Sequence, residues 1–109
     1  MAASLTLATL DDLNRLLPMV AAFHAEEGLS TSPEHSEAAL LPILQGSPLG
    51  EAFMIGPKLA PIGYIVISHG YSLEFGGPDA FIDELYLRPG VRNKGIGGEI
   101  MQAMCERLV

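Results

Sequence analysis

Apolar residues in the first third of the chain recur at steps that keep them on one face of a helix: Leu10, Leu13, Leu16, Leu17, Val20 and Phe23. Thr9, with Asp12 three residues on, reads as a capping box, so this helix should begin near Leu10, kink at Pro18 and end near Glu27 and Gly28. Before it, Ser4 to Leu7 has the makings of a short first strand. A second helix is signalled by Ser32 as cap and Pro33 at the first helical position; Ala38, Leu41 and Leu44 share a face before Gly46 stops it. Pro42 weakens that second pattern.

From Glu51 the period changes. Glu51–Ile55 and Ile62–Ser68 are rich in β-branched and bulky residues and are joined by a turn containing Pro and Gly, which predicts an antiparallel hairpin. His69 to Gly77 either extends the second strand or loops over a pocket, and Gly76, Gly77 and Pro78 punctuate it before a further strand, Ala80–Leu87. The last segment, Gly97 to Val109, is predicted helical, with Ile100, Met101, Met104, Cys105 and Leu108 on an apolar stripe. Strand alternation within Ala80–Leu87 puts Asp83 on the face of Phe81, Leu85 and Leu87, and Glu84 on that of Ile82 and Tyr86.

A chain of 109 residues, 49% hydrophobic, has room for one core, so residues 1–109 are expected to form a single domain. A formal charge of −7 disfavours a nucleic-acid binder, which needs a basic face, and suits a cationic ligand. No stretch approaches the roughly 20 apolar residues of a membrane span, and residues 1–20 lack the features of a secretory leader, so a cytoplasmic protein with no membrane partner is expected. The single cysteine, Cys105, has no internal disulfide partner, and its place on the apolar stripe assigns it to packing rather than to an acyl-cysteine mechanism.

Three of the six basic residues, Arg88, Arg92 and Lys94, fall within seven positions. Such a cluster is either a solvated loop or an anion site. It lies in the run from Phe81 to Gly98, which reads as strand, turn, glycine-rich loop and helix start. A helix N-terminus leaves N–H groups unpaired, and Gly95, Gly97 and Gly98 would let an anion such as phosphate approach them; the same glycines are also compatible with a plain turn capping a core helix. The run has no G-x-G-x-x-G and no Lys followed by Ser or Thr, which argues against dinucleotides and nucleoside triphosphates.

Leu87, Pro89, Arg92, Gly95 and Gly97 stand in the order and spacing of the central motif of the GNAT acetyltransferases, and the chain resembles that family along nearly its whole length. Ile82-Asp83-Glu84-Leu85-Tyr86-Leu87 is similar to the corresponding strand of enzymes that acetylate small amines. The resemblance implies an α/β fold of the α+β type, with a mixed, largely antiparallel sheet and at least three flanking helices. It implies acetyl-CoA as cosubstrate, with the amides of Arg92, Asn93, Lys94, Gly95, Ile96, Gly97 and Gly98 on its pyrophosphate. It also implies that the main chain of Leu85 and Leu87 pairs with the pantetheine arm, and that the Leu85 N–H faces the acetyl carbonyl. The expected reaction is direct attack of a small-molecule primary amine on the thioester.

An alkyl ammonium, with a reference pKa of about 10.4, must lose a proton before it attacks. The resemblance places the substrate-facing carboxylate at Asp83, as base or ammonium anchor, with Glu84 its neighbour. His24, Glu26 and Glu27 are candidate acceptor contacts or an ordinary polar helix end, and His69, Tyr71 and Glu74 could line the same cleft. No His, Cys and carboxylate pattern has metal-ligand spacing, so no metal is expected. The family's later strands, and the helix that carries its usual acidic tyrosine, would follow Val109; Tyr71 and Tyr86 are not its equivalents. The outer edge of Ala80–Leu87 is therefore expected to be covered by a second copy, as a homodimer, or by a completing chain. A module that binds acetyl-CoA without turnover, and a fragment whose loop is empty, are the alternatives.

Overall fold

A computed structural model describes residues 4–108. The elements run β1 (Leu5–Leu7), a 3-10 turn over Leu10–Asp12, α1 (Leu13–Glu26), α2 (Pro33–Leu44), β2 (Gly50–Ile55), β3 (Gly63–Ser72), β4 (Gly77–Leu87), a second 3-10 turn over Pro89–Val91, and α3 (Ile96–Leu108). The strands form one sheet in the order β1-β2-β3-β4, and all three pairings are antiparallel.

Period-two alternation in the strands divides the core into two layers. Ala52 and Met54 of β2, Tyr64 of β3 and Tyr86 of β4 pack against Leu16, Met19 and Val20 of α1 and Leu40 and Leu44 of α2. The alternate positions, Phe53, Ile55, Ile65 and Ile67, pack against Ile100 and Met104 of α3. The sheet is thus covered by α1 and α2 on one face and by α3 on the other.

The capping box forms as expected, with the Thr9 N–H donating to Asp12 Oδ2 at 2.9 Å, and the Ser32 hydroxyl accepts from the His35 N–H at 3.0 Å to start α2. The first turn is 3-10 rather than α, so α1 itself starts at Leu13 and then runs unbroken through Pro18. The buried stripe of α1 includes Met19 and ends on His24, whereas Leu10 is exposed. In α2 the buried face is Ser36, Leu40 and Leu44, four residues apart, so Ala38 turns to solvent instead of to the core. Cys105 is exposed as well, because α3 meets the sheet through Ile100 and Met104. It is therefore not the packing residue that the stripe suggested.

β3 and β4 overhang β2, whose pairing with β3 stops at Gly50 opposite Ser68, and close in a hairpin whose tip exposes Leu73 and Phe75. Along this hairpin the register slips: Val66 lies opposite Glu84, but Ile67 lies opposite Ile82, which leaves Asp83 as the extra residue of a β-bulge. Simple alternation fails there. Ile82, across from Ile67, joins the α3 face with Leu85, whereas Phe81, across from Ser68, joins the face of Glu84 and Tyr86.

Candidate active site

The bulge turns two consecutive carboxylates toward one cavity. Asp83 and Glu84 both line a space of about 320 Å³ between the sheet and the first two helices, with Val20 and His24 from α1, Leu40 and Ile43 from α2, and Val66 from β3. The carboxylates differ in their surroundings. Glu84 Oε1 accepts from the Tyr64 hydroxyl at 2.7 Å, and Glu84 Oε2 lies 2.6 Å from His24 Nε2. His24 Nδ1 in turn lies 2.6 Å from Thr31 Oγ1, so Thr31, His24, Glu84 and Tyr64 form one chain of hydrogen bonds across the cavity wall. Asp83 is exposed and makes no hydrogen bond to a described residue. Burial first, then the Glu84 hydrogen bond and the Glu84 charge, hold the Tyr64 hydroxyl well above the usual tyrosine range, so it stays a donor.

Truncating Glu84→Ala should leave the Tyr64 hydroxyl and the buried His24 ring without their shared partner. The expected cost is about 1–3 kcal/mol of stability, measured as a lower urea midpoint with an unchanged slope.

A second cavity, of about 290 Å³, adjoins the first along β4 and is lined by Phe23, Glu26 and Glu27 of α1, Leu85 to Leu87, and Arg92. Main-chain direction explains its character. The Arg88 N–H donates to Ile62 O at 2.8 Å, so Arg88 faces β3. Alternation along the strand then turns Leu87 outward, Tyr86 inward and Leu85 outward. The Leu85 N–H and the Leu87 carbonyl therefore face the edge of β4 that pairs with no other strand among the described residues.

Arg92 crosses this second cavity. Its Nε donates to Leu87 O at 2.8 Å, its Nη2 donates to both carboxylate oxygens of Glu26 at 2.7 and 2.8 Å, and its guanidinium lies 5.6 Å from the centre of the Tyr86 ring. The sequence placed Arg92 in a basic cluster and gave its backbone amide a role in the loop, but did not anticipate these side-chain contacts.

Below Arg92 the chain turns through Asn93 at φ 65° and Gly95 at φ 77°, two left-handed residues flanking Lys94, and enters α3 at Ile96. No loop hydrogen bond among the described residues claims the N–H groups of Asn93, Lys94, Gly95, Ile96, Gly97 or Gly98; the nearest, Glu99 N–H to Gly95 O at 3.2 Å, closes the first turn of the helix. A Cβ built on Gly95 or Gly98 would meet nothing within 4 Å, so the space over these amides is open. The loop thus has the backbone donors and the clearance that a pyrophosphate requires.

The structure brings Asp83, Glu84 and His24 to the first cavity, and Glu27, Leu85, Leu87 and Arg92 to the second. Tyr71, 69% exposed near the hairpin tip, lines neither. His69 is paired with Glu51 at 2.9 Å. Tyr64 was missed because its partner lies 20 residues away on another strand. Among the described residues no group of three or more His, Cys, Asp or Glu is placed to hold a metal ion, and no helix is long and apolar enough to cross a membrane.

The helix-flanked antiparallel sheet, whose edge strand runs through a left-handed glycine loop into a helix, defines an α+β class of fold, and comparison with known proteins gives the family. The chain belongs to the acetyltransferase (GNAT) family, whose pattern it matches over residues 17–109. Acetyl transfer dependent on acetyl-CoA is the general activity of that family.

Among solved structures, it is similar to an integron cassette protein from the mobile metagenome of Cole Harbour Salt Marsh, with 28% identity, a TM-score of 0.82, and coverage of 96% of this chain and 72% of that one. It is also similar to a possible acetyltransferase from Clostridium difficile 630, at 17% identity and TM-score 0.84, covering 97% and 70% of the two chains. A third structure, from Clostridium acetobutylicum and described as a predicted acetyltransferase with acetyl-CoA, has 14% identity and a TM-score of 0.77, with coverage of 96% and 72%. No curated protein matches the sequence.

Proposed function

We propose that the protein transfers the acetyl group of acetyl-CoA to the primary amine of a small molecule, by direct attack of the amine on the thioester. The observation that carries this reading is the meeting of the two cavities at one peptide unit of β4. Glu84 faces the space beside α2, and the next residue, Leu85, lines the space that leads to the glycine loop. An amine held by the carboxylates and a thioester laid along the outer edge would face each other across that unit, which is the kind of alignment that lowers a bimolecular barrier.

In this reading acetyl-CoA supplies the activated acyl group. The amides from Arg92 to Gly98 bind its pyrophosphate. The Leu85 N–H donates to the thioester oxygen as negative charge develops there. The Leu87 carbonyl accepts from Arg92 Nε, and the Leu87 N–H, which faces the same edge, is the donor Leu87 offers the pantetheine arm. Glu84, its oxygens fixed by Tyr64 and His24, holds the incoming ammonium. Asp83, with no hydrogen bond of its own, accepts the proton that the ammonium must lose. Glu27 lies on the acyl-CoA side rather than beside the carboxylates, and a homodimer or a further chain covering the outer edge of β4 is compatible with the same arrangement.

Gly95→Val tests the loop. A β-branched residue is strained at φ 77°, although the protein itself leaves room for the side chain. The expected result, read by calorimetric titration, is acetyl-CoA binding weakened by at least about tenfold in a chain that still melts cooperatively. Unchanged affinity would overturn the loop assignment. Tight acetyl-CoA binding by the unmutated protein with no thioester consumption across a panel of amines would identify a binding module instead.

A further inference from the structure

We infer that the acceptor is an apolar monoamine, one ammonium on a hydrocarbon body, rather than a polyamine, an aminoglycoside or an amino acid. This inference deepens the amine-acetylation reading and rests on it.

The shape and chemistry of the first cavity carry the argument. Glu84 on β4 lies opposite Val66 on β3, and Ser68, two residues along the same face of β3, lies opposite Gly50 on β2. All four line the cavity, which therefore runs across three strands, from the two carboxylates at the β4 bulge to the start of β2 beside Leu49. At the usual spacing between strands this is a span of about 10 Å. Beyond the carboxylates the surrounding side chains are mainly Val20, Ala39, Leu40, Ile43, Leu49 and Val66.

The polar groups that remain along the cavity are neutral hydroxyls and two histidines, His24 and His35; His24 is already held between Glu84 and Thr31. Asp83 and Glu84 are the only carboxylates among the lining residues, and they stand side by side. One cationic group is therefore matched at one end. A second ammonium about a hexyl chain away would sit beside half-buried Ile43 and the more exposed Leu49 with no anion to pair it, giving up part of its hydration for hydrocarbon, whereas a methyl group there only removes further apolar surface from water. An amino acid fares no better, because its own carboxylate would approach Asp83 and Glu84 alongside its ammonium.

The test compares 1-aminohexane with 1,6-diaminohexane, which differ only at the far end. Affinity is measured by calorimetry in the presence of CoA, and turnover by release of the CoA thiol from acetyl-CoA. The expected preference is at least about tenfold for the monoamine in both measurements. Ala39→Asp then places a carboxylate on the apolar wall, at a position on α2 that is solvent-exposed and outside the core, so folding should be retained. The variant should shift the preference toward the diamine by a comparable factor.

Equal or tighter binding of the diamine by the unmutated protein would overturn the inference, and so would a preference that Ala39→Asp leaves unmoved. Failure of the transfer reading is a different result. Selective monoamine binding with no thiol release would uphold the ligand class and sink acetyl transfer, whereas thiol release that favours the diamine would uphold transfer and sink the ligand class.

Discussion

Gly63→Ala is expected to be the most destabilising single-methyl change in the sheet. The added Cβ would overlap the Tyr86 carbonyl oxygen and come within 3.1 Å of Leu87 Cα. Both are backbone atoms of the neighbouring strand, so no side-chain rotation relieves the clash. The β3–β4 ladder must open where Gly63 faces Leu87. A loss of about 3 kcal/mol or more is expected, in the range reserved for overpacking and broken backbone pairing, and it would be read as a large fall in the urea midpoint. Gly77→Ala is the control. Its Cβ would meet nothing within 4 Å and its φ is not left-handed, so a change within about 0.5 kcal/mol is expected. Equal effects at the two positions would show that the close approach of β3 to β4 does not constrain residue 63.

The second large effect is kinetic. Asp83→Asn removes the charge of an exposed carboxylate that makes no hydrogen bond with a described residue, so folding and acetyl-CoA affinity should be unchanged. If Asp83 accepts the amine's proton, kcat should fall about 10²- to 10³-fold. The loss should shrink as the pH is raised toward the pKa of the free amine, because more acceptor then arrives already deprotonated. A loss seen only in KM would make Asp83 an anchor for the ammonium and leave deprotonation to water or to Glu84.

Much of the fold is legible in the order of residues. The apolar stripe of α1, the Ser32-Pro33 start of α2, the switch to strand pattern at Glu51 and the glycine loop before α3 each rest on local chemistry, and all lie within a few residues of where the sequence puts them. The departures have a common cause: they depend on a partner far along the chain. The bulge at Asp83 comes from the fit of β4 against β3, and nothing in β4 alone marks it. It is nevertheless the feature that sets two carboxylates into one cavity.

His24 has the same origin. The sequence read it as an acceptor contact or an ordinary polar helix end, whereas it is buried, with Glu84 and Thr31 supplying partners for both ring nitrogens. In α2 the expected face shares only Leu44 with the observed one: Ser36 and Leu40 are buried, Ala38 is exposed and Leu41 only half-buried.

The sheet order β1-β2-β3-β4 repeats the order of synthesis. Each new strand finds its partner in the strand made just before it, and from β2 onward only a short turn separates the two. Loop closure for these pairings is entropically cheap, so the meander can assemble progressively as the chain leaves the ribosome. β4 is added last. The strand that carries both carboxylates and leads into the glycine loop therefore leaves the ribosome after the two strands of the hairpin it extends, and its bulge faces a strand made before it.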